Sequence, residues 1–319
     1  MILLEIKNLT LHYETTKGMV QAVDKVSFSL DRGDSMGLVG ESGCGKSSVA
    51  MAIMKLMPSN AEVIGGEILF KGENLLFKDD EEIRGMRWKE ISMVFQAAMN
   101  ALNPVISVGD QIIEAIQAHN EVSEAEAWEK VKELYRLVGL DPGRGKSYPH
   151  EYSGGMKQRA IIAMSLACSP DLIIADEPTT ALDVIVQDQI IQEIVELQKR
   201  LDMAMVYISH DISVIAETCS RIGVMYAGKI VEYADSDSLF YNTLHPYTKA
   251  LLSSYPSIRG KVKRLNPIPG EPPNLLNPPG GCRFCPRCPG KEGICENQDP
   301  EFLEVKTGHF VACHLVKPT

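Results

Sequence analysis

The run Gly40-Glu41-Ser42-Gly43-Cys44-Gly45-Lys46-Ser47 carries the residue types that most directly imply chemistry. It fits G-x-x-x-x-G-K-[ST], a loop whose backbone N–H groups cradle nucleotide phosphates. The apolar run Ser35-Met36-Gly37-Leu38-Val39 before it reads as a buried strand. Ser48 to Leu56 after it places Val49, Ile53 and Leu56 on one helical face. Strand, glycine loop, helix is the setting such a loop needs, because the helix N-terminus adds favourable partial charge. Lys46 is placed to reach terminal phosphates and Ser47 to hold Mg²⁺. A plain Gly-rich turn has the same composition, and the flanking elements decide against it.

Two further groups bear on the same chemistry. Leu172-Ile173-Ile174-Ala175-Asp176-Glu177 is four apolar residues ending in two acids. A buried strand delivering Asp176 at its tip suits a Mg²⁺ partner, and Glu177 next to it suits a general base for water. By itself the pair also fits a strand ending in a solvated acidic turn. Tyr152-Ser153-Gly154-Gly155-Met156-Lys157-Gln158-Arg159 offers Ser153 as an N-cap. Two glycines then expose N–H groups at a helix start, which makes a second anion site. One ATP rarely needs two such sites from one chain. A dimer in which this site reads the partner's nucleotide resolves the excess.

These groups must be positioned by alternating elements. Strand patterns are expected at Glu67–Phe70, Ile91–Phe95, Leu172–Ala175, Met205–Ile208 and Ile230–Glu232. Alternation of strand and helix favours a parallel sheet with crossover helices. From Ala97 to about Tyr152 the pattern is mostly helical, with a capping box at Ser123-Glu124-Ala125-Glu126 opening a helix. A helix is expected around Tyr247 to Ser254. Beyond it the chain turns Pro-rich, through Pro256, Pro267, Pro269, Pro272, Pro273, Pro278 and Pro279. Such a stretch cannot pack a core alone.

The 319 residues can bury a large core and hold more than one domain. No apolar run approaches the ~18 residues of a membrane span. The start, Met1-Ile2-Leu3-Leu4-Glu5, is not a secretory signal, so a cytosolic chain is expected. A formal charge of −10 argues against nonspecific binding to nucleic acid or anionic lipid. Of eight cysteines, Cys282, Cys285, Cys288, Cys295 and Cys313 crowd the tail. In a cytosolic chain such a cluster points to metal before disulfide. Four thiolates suit [4Fe–4S] or Zn²⁺, and His309 and His314 are weaker substitutes. Cys44, beside a helix N-terminus and Lys46, is expected to have a lowered pKa and to be alkylation-sensitive without nucleotide. Cys168 and Cys219 are expected to be packing residues.

In this order the motifs resemble those of the ATP-binding subunits of ABC transporters, over about Leu3 to Gly228. Gln96 is similar to the family's switch glutamine, Ala181-Leu182-Asp183 to the loop after the acidic pair, His210 to the switch histidine and Tyr13 to the aromatic on adenine. The signature departs from the common Leu-Ser-Gly-Gly-Gln at Tyr152 and Met156. The resemblance implies that Ser42, Gly43, Cys44, Gly45, Lys46, Ser47 and Ser48 bind phosphates. Ser47, Gln96 and Asp176 would hold Mg²⁺, Glu177 would polarise water, and His210 would contact the γ-phosphate. Ser153, Gly154 and Gly155 would close over the partner's γ-phosphate, and Asp183 would communicate between sites.

His245-Pro246-Tyr247-Thr248-Lys249-Ala250-Leu251-Leu252 and Gly281-Cys282-Arg283-Phe284 resemble the C-terminal signature of oligopeptide/dipeptide importer ATPases. That likeness implies Cys282, Cys288, Cys295 and Cys313 as cluster ligands, iron–sulfur ahead of zinc, with Cys285 free or an alternate. The expected fold is α/β: a P-loop NTPase ABC ATPase core over 1–96 and 153–235, a helical subdomain over 97–152, and a small metal-binding C-terminal segment over 236–319. The expected function is ATP hydrolysis driving peptide uptake. Nickel or another small solute, or a soluble non-transport ABC ATPase, are the alternatives. The expected partners are a second ABC ATPase subunit, two membrane permease subunits and, indirectly, an extracytoplasmic solute-binding protein, with no nucleic acid. The chain would sit peripherally on the cytoplasmic side of the membrane.

Overall fold

The structure is a computed structural model that describes residues 1–96, 101–180, 182–254 and 268–317. Ala97, where the helical insertion is expected to begin, Ala181, Pro256 and Pro267 lie outside the described residues. In chain order the first elements are β1 (Ile2–Thr15), β2 (Gly18–Asp31), β3 (Ser35–Val39), α1 (Lys46–Ile53), β4 (Ala61–Phe70) and β5 (Glu73–Asn74). Then come α2 (Asp80–Met86), β6 (Ile91–Val94), α3 (Val108–His119), α4 (Glu124–Leu137), α5 (Gly154–Ser165), β7 (Leu172–Asp176), α6 (Val184–Leu201) and β8 (Ala204–Ser209). The last are α7 (Ile212–Thr218), β9 (Arg221–Tyr226), β10 (Lys229–Asp235), α8 (Ser236–Tyr241), α9 (Pro246–Ser253), α10 (Gly293–Asn297), β11 (Leu303–Lys306) and β12 (His309–Val311). The chain divides into two compact units.

One unit comprises Met1, residues 31–34 and residues 77–207. Its strands neighbour in the order β8-β7-β6, and β6 runs parallel to β7 from Ile91↔Leu172 to Val94↔Ala175. Both strands are fully buried, which is why they read as continuous apolar runs. The helical stretch follows the sequence pattern closely. Ser123 caps α4 with a complete capping box to Glu126. Trp128 fills the space left by two glycines: a Cβ on Gly109 or Gly145 would come within 2.7 or 2.9 Å of its ring. Tyr152 replaces the usual signature leucine without exposing its polar end. Its buried ring sends the hydroxyl to Arg144 O at 2.7 Å and accepts from Tyr135 at 2.9 Å.

The other unit comprises residues 2–30, 35–76 and 208–319. It holds a separate sheet in the order β2-β1-β4-β5, in which β1 pairs antiparallel with β4 from Leu4↔Phe70 to Tyr13↔Ala61. A second set neighbours in the order β11-β12-β10-β9-β3. Here β3 and β9 are parallel, whereas β10 pairs antiparallel with both β9 and β12. An all-parallel sheet is therefore not what forms. The sequence from Leu3 to about Glu67 reads as strand-rich, and β1, β2 and the start of β4 lie there; the register break in β1 between Lys7 and Thr10 interrupts strict alternation.

The C-terminal segment is ordered by contacts with the rest of this unit. Phe284 is buried against Tyr226, Tyr247 and His245, with ring centres 5.1, 5.4 and 5.8 Å away. Arg283, 5 % exposed, pairs with Asp24 at 2.7 Å and donates to Gln21 Oε1 at 2.8 Å. The chain then adds β12 to the edge of β10. Isolated, a Pro-rich stretch cannot order itself, but this one has a surface to fold onto.

Glu232, fully buried, anchors that surface. Its carboxylate accepts from the N–H groups of Leu244 and His245 and meets His309 Nε2 at 2.8 Å. Burial lowers the pKa of His245 to about 4, with Glu232 opposing the shift. An unfolded histidine titrates near 6.5, so between those values the unfolded chain binds the extra proton. The stability contributed by His245 is therefore full above about pH 6.5 and lost progressively toward pH 4, by about 3 kcal/mol in total. Denaturant titrations from pH 7.5 to 4.5 should show that acid loss reduced in His245→Gln. An unchanged slope would contradict the assignment.

Candidate functional site

The phosphate loop follows β3 and ends at α1, as its spacing requires. Gly45 adopts φ 106°, and a Cβ there would sit 2.3 Å from Ala22 O. Only glycine fits such a position. Lys46 is buried and turned into the loop, with Nζ donating to Gly40 O at 2.7 Å and Glu41 O at 3.1 Å. Ser42, Gly43 and Ser47 are exposed along the loop. Half-buried Tyr13, from β1, donates its hydroxyl to Ser48 Oγ at 3.1 Å, so the adenine candidate and the start of α1 do meet.

Cys44 does not behave as expected. It is 4 % exposed, and burial raises its thiol pKa even though Lys46 Nζ lies 3.6 Å from Sγ. Desolvation of the thiolate outweighs the nearby cation. Its thiol therefore stays protonated at neutral pH, and nucleotide-free protein should alkylate Cys44 more slowly than a free cysteine. Mass-spectrometric labelling at pH 7.5 reads this directly, and fast labelling would restore the reactive-thiol expectation.

In the other unit, Asp176 closes β7 and is 4 % exposed. Glu177 follows it in a left-handed conformation, φ 47°. A non-glycine residue held there is strained and must be fixed by its neighbours. Two bonds do so: Gln96 Nε2 donates to Glu177 Oε2 at 3.1 Å, and Thr180 Oγ1 donates to the same oxygen at 3.0 Å. Gln96, exposed at the end of β6, is thus placed on the proposed base. Thr180 was not anticipated, and no spacing signal in the sequence marks it.

Ser153 caps α5, its hydroxyl accepting from Met156 N at 3.3 Å, and Ser153 and Gly154 are exposed. Gly155 allows α5 to approach α6, since a Cβ there would meet Val186 Cγ1 at 2.8 Å. Asp183 caps α6 by accepting from Val186 N at 3.0 Å. His210 is exposed just beyond β8.

In each unit the donors are hard oxygens of the kind Mg²⁺ takes: the hydroxyl of Ser47 in one, the carboxylate of Asp176 and the amide oxygen of Gln96 in the other. The tail cysteines fare differently. Burial raises the thiol pKa of Cys282, Cys288 and Cys313, and the neighbouring Cys295 adds a smaller upward push at each. Yet among the described residues no three His, Cys, Asp or Glu side chains form a group that could hold a metal ion. His309 is committed to Glu232, and His314 Nε2 lies 2.9 Å from Gln298 O, so neither completes one. The expected iron–sulfur or zinc centre is thus not supported by this arrangement, and the segment is held by Phe284, Arg283 and β12.

A phosphate loop, an acidic strand tip and a capped Ser-Gly-Gly helix on this fold define an ABC-type ATPase. The profile described as ABC transporter matches residues 23–180, and that described as oligopeptide/dipeptide transporter, C-terminal region, matches residues 231–295. The chain is 49 % identical over 316 residues to a probable peptide ABC transporter ATP-binding protein of Sinorhizobium fredii, covering 98 % of this chain and 94 % of that one. It is 46 % identical to the dipeptide transport ATP-binding protein DppD of Bacillus subtilis, covering 98 % and 94 %, and 44 % identical to the oligopeptide transport ATP-binding protein OppD of Escherichia coli, covering 98 % and 92 %. Among solved structures, the dimeric post-hydrolysis state of the ATP-binding cassette MJ0796 bound to ADP and phosphate aligns with a TM-score of 0.65 at 27 % identity, covering 73 % of this chain and 98 % of that one. The chain belongs to the family of oligopeptide/dipeptide ABC transporter ATP-binding subunits.

Proposed function

We propose that this chain hydrolyses ATP to energise uptake of dipeptides or oligopeptides through separate membrane permease subunits, working from the cytoplasmic face. The observation that carries it is a phosphate loop and a peptide-transporter C-terminal region in one chain, with relatives along its whole length that are named for peptide transport. Among the described residues no helix is long and apolar enough to cross a membrane, so passage of the solute falls to other subunits.

In this reading the backbone of residues 42–48 and the Lys46 ammonium bind the phosphates, and Tyr13 stacks on adenine. Ser47, Asp176 and Gln96 hold Mg²⁺, which would neutralise charge on the β- and γ-phosphates. Glu177, oriented by Thr180 and Gln96, accepts the proton of the attacking water. His210 contacts the γ-phosphate. Ser153, Gly154 and Gly155 present their N–H groups to the nucleotide of a second ATPase subunit, and Asp183 links the two sites. The dimeric MJ0796 cassette supports such a pairing. The working domains are the core over 1–96 and 153–235, the helical subdomain over 97–152 that receives the motion, and the C-terminal segment over 236–319.

Co-purified with its permease subunits in proteoliposomes, the chain should show ATPase activity stimulated by peptide and its binding protein. Stimulation by nickel and not by peptide would redirect the substrate assignment. A cysteine-bound metal is supported by the spacing of Cys282, Cys288, Cys295 and Cys313 and by their likeness to the C-terminal signature of oligopeptide/dipeptide importer ATPases. Iron, sulfide and zinc analysis of anaerobically purified protein decides that point: metal in stoichiometric amount establishes it, and metal-free protein rejects it.

A further inference from the structure

Two stretches of the C-terminal segment converge on one residue of the phosphate loop. The backbone N–H of Glu41 donates to Tyr247 Oη at 3.1 Å. Its carboxylate accepts two hydrogen bonds from Arg287, from Nη1 at 2.6 Å and Nη2 at 3.0 Å. Such a two-pronged, charge-assisted pair fixes orientation as well as distance.

Both partners are themselves held. The Arg287 side chain is 4 % exposed, donates from Nε to Pro269 O at 2.8 Å, and lies 5.7 Å from the centre of the Tyr226 ring. Tyr247 is fully buried, its ring 4.6 Å from Tyr226 and 5.4 Å from Phe284. Its backbone N–H donates to His245 Nδ1 at 3.0 Å, and His245 is tied to the buried Glu232. The peptide-transporter signature His245-Pro246-Tyr247 and the turn carrying Arg287 thus act on the same point.

Within the loop, the Cys44 N–H donates to Glu41 O at 3.2 Å, but the Glu41 side chain is held from the C-terminal segment. Gly43 and Gly45 take positive φ, and Lys46 Nζ rests on the carbonyls of Gly40 and Glu41. An incoming triphosphate must draw that ammonium away while the backbone around it keeps its shape. A loop already fixed in its binding conformation loses less freedom when the ligand arrives. We propose that Arg287 and Tyr247 are positioning residues for ATP: through Glu41 they pre-set the phosphate loop, and the C-terminal segment thereby sets nucleotide affinity. The proposal rests on the loop being the ATP cradle.

A double-mutant cycle on the full chain tests it, with MgATP affinity read by calorimetry. Glu41→Gln and Arg287→Gln should each raise the Kd about tenfold, and the double variant should be no weaker than either single one. Tyr247→Phe, which keeps the ring and loses only the hydroxyl, should also weaken binding severalfold. Arg287→Lys keeps the charge without the fork and should fall between native and Arg287→Gln. Tyr247→Phe and Arg287→Lys carry the test should Arg287→Gln fail to fold. Affinities within twofold of native in all folded variants, whatever their melting temperatures, overturn the proposal. So does a double variant whose loss equals the product of the single losses. Lys46→Ala in the same assay separates the two readings: if it binds MgATP like native, the cradle assignment itself fails, and if it alone loses binding, only the positioning role fails.

Discussion

Glu177→Gln should lower ATP turnover by about 10²- to 10⁴-fold while MgATP binding stays near native. The substitution removes the basic oxygen and almost nothing else. Gln has the same length, and its amide oxygen can still accept from the Gln96 amide and the Thr180 hydroxyl that now hold Glu177 Oε2. The left-handed backbone at position 177 places that side chain, and the substitution leaves it unaltered. Loss of kcat with unchanged affinity is the mark of a group used only in the transition state. Steady-state phosphate release together with calorimetry measures both quantities. Turnover within a few-fold of native would remove Glu177 from the role of base.

Lys46→Ala should weaken MgATP binding by about a hundredfold or more. The ammonium is buried in the loop, where it donates to Gly40 O, Glu41 O and Cys44 Sγ. It is the charge nearest to hand for a triphosphate in that loop, and no other lysine or arginine occurs in residues 40–48. Removing it also takes a donor from Gly40 O and from Glu41 O, the latter still accepting from the Cys44 N–H at 3.2 Å. Calorimetric titration with MgATP reads the loss. Native-like affinity would mean that the phosphates bind elsewhere.

What the sequence disclosed was local. Gly45, Lys46 and Ser47 were legible because their spacing is dictated by phosphate geometry. Ser123 and Glu126 were legible because a capping box lies within one helical turn. Asp176 was legible as the tip of an apolar run. Contacts made across hundreds of residues were not. Arg287 reaches Glu41 over 246 positions, and Arg283 reaches Asp24 over 259. No periodicity announces such partners. Cys44 was misread for a related reason: sequence shows the lysine two positions away but not the burial that outweighs it. The Pro-rich composition of the tail likewise hides the surface that Phe284 and β12 dock onto.

The proposed mechanism requires Ser153, Gly154 and Gly155 to complete a nucleotide site that belongs to another ATPase subunit. Ser153 is exposed at the start of α5, so Ser153→Arg blocks the approach of phosphate without disturbing a packed core. MgATP affinity and steady-state turnover of that variant, measured in the assembled transporter, give the most direct test. The prediction is affinity within about threefold of native with turnover reduced by about a hundredfold or more. Full turnover with this helix start blocked would contradict it.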